Sequence, residues 1–102
     1  MLTPATLGAA CVRAGKADPD FTVRQLAFLM AVHANGNLSV GDYAGHIETT
    51  KPVVTRCAQK AVDAGWVTRV QSVHDRRTVH INLTKKGNAL LQQIVGPDAA
   101  SF

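Results

Sequence analysis

Residues 49–65 constrain this chain more than any other stretch. TTKPVVTRCAQKAVDAG states both ends of a helix and the chemistry of its two sides. Thr49 and Thr50 supply N-cap hydroxyls, Pro52 falls in the first turn where a missing N–H costs nothing, and Gly65 suits the position just past the end. Val54, Ala58, Ala61 and Val62 recur at helical spacing and predict a narrow buried face. On the other side fall Val53, Arg56, Gln59 and Lys60, with no carboxylate before Asp63. A slim helix presenting Arg, Gln and Lys fits a DNA major groove, and the positive end of its dipole favours phosphate. A solvated cationic surface has the same pattern, so the flanking sequence decides.

Upstream, Ser39 caps a short helix reaching His46 or Ile47, with Tyr43, Ala44 and Ile47 inward. A turn of about three residues then leads into the cationic helix, which makes the pair a helix-turn-helix. After Gly65 the period changes to alternation. Trp66 to Val70 reads as one strand and Thr78 to Leu83 as its partner, with Val79, Ile81 and Leu83 on one face and His80 outward. The polar turn between them, residues 71–77, carries His74, Asp75, Arg76 and Arg77. A hairpin directly after such a helix is a wing.

The remaining elements read as support. Thr3-Pro4 opens a helix with Leu7, Cys11 and Val12 on its apolar stripe, ending near Gly15, and a polar linker follows to Asp20. Thr22 and Gln25 form a capping box with Phe21 as a staple. They start a second helix in which Leu26, Leu29, Met30 and His33 follow, stopped by Asn35-Gly36. Leu38 can hold a minimal strand. Thr84 caps a last helix with Ala89, Leu90, Leu91 and Ile94 on its stripe, ended by Gly96-Pro97. The fold class is therefore mainly α with a small β-hairpin wing, a winged helix-turn-helix. Residues 1–20 form an N-terminal helix and linker, 21–83 the DNA-binding unit, and 84–102 a C-terminal helix and tail.

Charge is unevenly placed along this frame. Between His46 and Leu90 eight Lys/Arg face Glu48, Asp63 and Asp75, whereas the first 45 residues hold three charges of each sign. Basic charge gathered around the cationic helix favours a polyanionic partner. Aromatic residues make up only 5% of the chain, so the core must be mostly aliphatic and alanine. The apolar runs are too short to span a membrane, and the N-terminus lacks the basic region of a secretory signal; the expected location is cytoplasmic.

In this order the motifs resemble the MarR family of winged helix-turn-helix transcription regulators. The resemblance is carried by Leu26 and Leu29, by Thr50-Lys51-Pro52 with Val54-Thr55-Arg56, and by Gly65-Trp66-Val67-Thr68-Arg69. Asp75-Arg76-Arg77 in the wing and Leu83-Thr84-Lys85-Lys86-Gly87 complete it. It implies a homodimer that binds a pseudo-palindromic site on double-stranded DNA, with helix 50–64 in the major groove and wing 71–77 at the minor groove. Thr50, Lys51, Thr55 and Arg56 would meet phosphates or base edges, with Gln59 and Lys60 further along. Arg76 would reach the minor groove. Arg77 ranks below it, as an ion-pair partner of Asp75, and Arg69 would be structural at the wing base or a phosphate contact.

The sequence departs from the family pattern in three places. Val53 stands where a small polar residue is common, which suits a thymine methyl. Ala58 and Ala61 replace larger residues on the buried face. Members of the family continue past the equivalent of Ile94 into long C-terminal helices. The dimer contact is accordingly expected from Leu7, Cys11, Leu90, Leu91 and Ile94, with Leu2 and Phe102 beside them, and no small-molecule effector is expected.

Other chemistry finds little support. Cys11, Cys57 and the four histidines show no closely spaced ligand pattern, so neither a metal nor a cofactor is expected. Cys57 reads as a small buried hydrophobe, since oxidant sensing would need an exposed thiolate. His33 reads as a core or helix-end residue. No phosphate-binding glycine loop, Ser/His/Asp set or carboxylate pair is present, and the chain does not read as an enzyme. The reading is a DNA-binding repressor. A winged-helix module docking an acidic protein, or a plasmid- or phage-type partition or replication protein, would carry the same basic face.

Overall fold

A computed structural model describes residues 3–74 and 78–96. Within these residues five helices and three short strands follow one another as α1 (Pro4–Ala17), α2 (Val23–Asn35), β1 (Leu38–Ser39), α3 (Val40–His46), α4 (Lys51–Ala64), β2 (Val67–Gln71), β3 (Val79–Leu83) and α5 (Lys85–Val95). The strands form one antiparallel sheet in the order β1-β3-β2. Register is set by Leu38 opposite Ile81 on one side of β3 and by Arg69 opposite Ile81 on the other. The fold is a winged helix-turn-helix.

Local chemistry explains most boundaries. Thr3 caps α1 through a reciprocal box with Thr6, and Ser39 caps α3 the same way with Asp42. Gly65 ends α4 at φ 82°, in the left-handed region where a side chain is unfavourable. Thr84 accepts from the Gly87 N–H at 3.0 Å and donates to the Gly65 carbonyl at 2.6 Å, so one hydroxyl both caps α5 and ties it to the end of α4.

The core centres on Phe28, Leu29, Val32, Tyr43, Val54, Ile81 and Ile94, with Ala58 and Ala61 fully covered between them. Phe28 meets Tyr43 edge to face at 5.7 Å between ring centroids, and Phe21 stacks on Trp66 at 5.4 Å. α1 packs on α5, where Arg13 donates from Nε to the Ile94 carbonyl at 2.6 Å and from Nη2 to the Val95 carbonyl at 3.0 Å. A guanidinium there satisfies carbonyls that the end of a helix leaves open.

Several expectations need correction. α1 runs past Gly15 to Ala17. α2 buries Gln25, Phe28, Leu29 and Val32, while Leu26 and Met30 are only half-buried; of the two readings of His33, the helix-end one fits, since it is exposed in the last turn. The inward face is rotated because α2 is packed on α3, α4, α5 and β3. The Gln25 backbone N–H does meet the Thr22 hydroxyl, but its side chain leaves the cap and donates from Nε2 to the Cys57 carbonyl at 3.1 Å. Trp66 precedes the strand rather than opening it, buried against Phe21. Ala89 is exposed, and His80 is half-buried rather than outward.

The residues expected at a dimer contact differ in exposure. Leu90, Leu91 and Ile94 are 8%, 3% and 0% exposed within a single chain. They pack α5 against the protomer's own core. Leu7 and Cys11 on α1 do remain exposed, as does Val12. Leu2 and Phe102 lie outside the described residues.

Candidate nucleic-acid interface

Between α3 and α4 the turn 47–50 is tight because Ile47, Glu48 and Thr49 donate their N–H groups back to the Tyr43, Gly45 and Ala44 carbonyls. Glu48 takes φ 53°, a left-handed conformation that is uncommon for a side chain of its size. The turn delivers Thr50 to the N-cap of α4, yet the expected cap hydrogen bond is absent. An N-cap hydroxyl can accept from the second or third helical N–H; Pro52 removes the second, and the third, the Val53 N–H, does not engage it either. The Thr50 hydroxyl is left unengaged at the exposed start of the helix.

α4 presents its side chains in two groups. Lys51 and Arg56 are exposed, and no hydrogen bond or ion pair with any described residue holds either side chain. The stem of Lys51 passes over Gly41 of α3, where a Cβ would stand 3.1 Å from its Cε. Thr55 is exposed and donates its hydroxyl proton to the Lys51 carbonyl at 2.9 Å. Val53 is half-buried against the core, so only part of it faces outward.

The second group, one to two turns further on, is occupied. Lys60 Nζ lies 3.1 Å from an Asp18 carboxylate oxygen and donates to the Asp20 carbonyl at 3.1 Å. Gln59 donates from Nε2 to Asp63 Oδ1 at 2.8 Å and accepts on Oε1 from Arg69 Nη2 at 2.7 Å. Lys60 therefore ties α4 to the segment before α2, and Gln59 ties it to β2. Among the described residues of α4, Lys51 and Arg56 in its first half are the cations whose side chains are unpaired. Arg76 and Arg77 of the wing, with Asp75, lie outside the described residues.

Cys57 is covered, and burial pushes its thiol up, against the pull of nearby Arg24, Arg56 and Lys60. That disfavours the thiolate an oxidant sensor needs. Arg24 was absent from the sequence expectations. It is exposed in the first turn of α2, which the Gln25–Cys57 hydrogen bond holds against the middle of α4. In sequence it hides among the first 45 residues, whose charges cancel. Only the fold brings it beside α4. Among the described residues no group of His, Cys, Asp and Glu could hold a metal, and no helix is long and apolar enough to cross a membrane.

Known proteins resemble this arrangement in sequence and in shape. The model of the MarR family matches residues 21–79. The HTH-type transcriptional regulator YpoP of Bacillus subtilis is 27% identical over 75 residues, covering 74% of this chain and 53% of that protein. The transcriptional repressor MprA of Escherichia coli is 29% identical over 63 residues, covering 62% of this chain and 36% of that protein. The chain thus spans about half or less of these relatives' length. Among solved structures, the complex of S. aureus MepR with DNA superposes with a TM-score of 0.74 at 21% identity, over 86% of this chain and 72% of that one. At that identity the likeness speaks for the fold.

Proposed function

The chain belongs to the MarR family, and from that premise we propose that it is a sequence-specific double-stranded DNA-binding transcription regulator, acting as a repressor on a pseudo-palindromic site as a homodimer. The observation that carries this reading is the free, exposed pair Lys51 and Arg56 at the leading half of α4, beside an unengaged Thr50 hydroxyl. In this reading the start of α4 enters the major groove. Thr50 and Lys51 hold phosphates, and Thr55 and Arg56 meet base edges or phosphates. The exposed part of Val53 would touch a thymine methyl. Gln59 and Lys60 serve mainly to fix α4 relative to the wing and to α2. Arg76, with Arg77 as the lesser contact, would lie at the minor groove.

The repressor role follows the relative MprA, which is named as one, and MepR is a relative in fold seen on DNA. Fluorescence anisotropy with random duplex DNA at two salt concentrations, with solution mass measured alongside, tests the proposal. Binding by a dimer that weakens steeply with salt is the expected result, with a slope of about −0.9 per phosphate contact. Absence of binding at low salt, with a monomeric mass, would overturn it.

A further inference from the structure

Between α2 and the α3–α4 turn lies an open notch of about 420 Å³, lined by Thr22, Val23, Arg24, Ala27 and Ile47. Its position relative to α4 is fixed twice. Gln25 holds α2 to the Cys57 carbonyl, and Lys60 holds the preceding segment through Asp18 and the Asp20 carbonyl. The notch therefore moves with the recognition helix as one piece. Arg24 is exposed, and no hydrogen bond or ion pair with a described residue engages its guanidinium. The Thr22 hydroxyl accepts from the Gln25 N–H at 3.0 Å, which leaves its own proton to donate. Ala27 and Ile47 provide an apolar wall beside these two donors.

We propose that Arg24, with the Thr22 hydroxyl, binds a DNA backbone phosphate in this notch, outside the base pairs faced by the start of α4. The arrangement suits a phosphodiester. A guanidinium fork and a hydroxyl meet the anionic oxygens, and the apolar wall accepts the edge of a deoxyribose. Acting with Arg56, such a contact would set the depth and angle at which α4 enters the groove, without reading sequence. The inference rests on the proposed DNA-binding function and assigns it a contact outside the helix-turn-helix and wing.

The test compares the wild-type protein with R24A, R24Q, R24K and R56A, titrated into a set of duplexes over a salt series. R24A and R24Q should weaken every duplex alike, by roughly fivefold to tenfold, and lower the salt slope by about 0.9. R24K should keep most of the slope, because the charge remains. Circular dichroism should be unchanged, since residue 24 is exposed. Wild-type affinity and slope in both R24A and R24Q, beside a weakened R56A, would overturn the notch contact while leaving DNA binding in place. No duplex binding by the wild-type protein at low salt would overturn both.

Discussion

Gly87, in the first turn of α5, lies against the main chain of Trp66. A Cβ at position 87 would stand 2.9 Å from the Trp66 carbonyl carbon and 2.9 Å from Leu83 Cδ1, with the carbonyl oxygen nearer still. The same carbonyl accepts the Thr84 N–H at 3.0 Å, so the end of β3 and the start of α5 close directly onto the junction of α4 and β2. Only a residue without a side chain permits that approach. Gly87→Ala must move backbone, and overpacking of this kind costs about 1–3 kcal/mol. For a domain of this size that lowers Tm by roughly 4–8 °C per kcal/mol. Thermal melts followed by the fluorescence of Trp66, the single tryptophan, read it directly. A melt that coincides with wild type would refute the account of this contact.

Two carboxylates give the fold an acid dependence. Asp18 lies below the ordinary value of 3.8, chiefly because the Asp20 backbone N–H donates to it and then because Lys60 does. Asp42 is likewise lowered, by the Ser39 side chain and then the Ser39 backbone N–H. A carboxyl whose folded pKa is depressed contributes stability that is complete above its unfolded pKa and is lost as pH falls through the folded one. Urea midpoints should thus hold level for these groups above about pH 5 and decline below about pH 4. The double variant D18N/D42N should show a shallower decline over the same window. Parallel curves for the two proteins would remove both residues from the acid transition.

The fold was legible where a local rule and the tertiary environment agree. Thr3, Ser39, Thr84 and Gly65 act as caps because the groups they satisfy lie within a few residues of them in the chain. Ile81 could be placed inward from alternation alone. What escaped depends on partners distant in sequence. Gln25 reads as a capping residue until the Cys57 carbonyl, 32 residues away, claims its amide. Leu90, Leu91 and Ile94 form an apolar stripe that looks the same whether its cover is the chain's own core or a second copy. Lys60 reads as a groove-facing cation until Asp18 is folded back against it. Arg24, whose charge cancels against Asp18 and Asp20 along the chain, comes beside α4 only in the fold.

The division of α4 into a free half and an occupied half predicts unequal effects of removing charge. Arg56→Ala should cost about 1–3 kcal/mol in duplex affinity if the guanidinium meets a base edge, with relaxed preference at that position. Lys60→Met should change the salt slope by clearly less than the roughly 0.9 of one phosphate contact, since its ammonium is already engaged by Asp18 and the Asp20 carbonyl. Its stability effect should also be small, about 0–1 kcal/mol, because Lys60 keeps 37% of its side-chain exposure. Competition titrations with matched duplexes measure both. Equal loss of slope in the two variants would mean that the Lys60 pairing opens on DNA.

Two leucines separate self-association from folding. Leu7 is 46% exposed on α1, whereas Leu91 is 3% exposed beneath α5. Leu7→Glu adds charge to a face that a single chain leaves in water, so it should leave the melting curve of dilute protein nearly unchanged. If α1 supplies the dimer contact, the same change buries a carboxylate in the interface and should shift sedimentation to the monomer. Leu91→Ala instead empties core volume at a cost of about 2–5 kcal/mol, and should lower Tm at every protein concentration. Sedimentation and melting across a concentration series distinguish the two. A Leu7→Glu protein that remains as dimeric as wild type would assign the contact to a different surface.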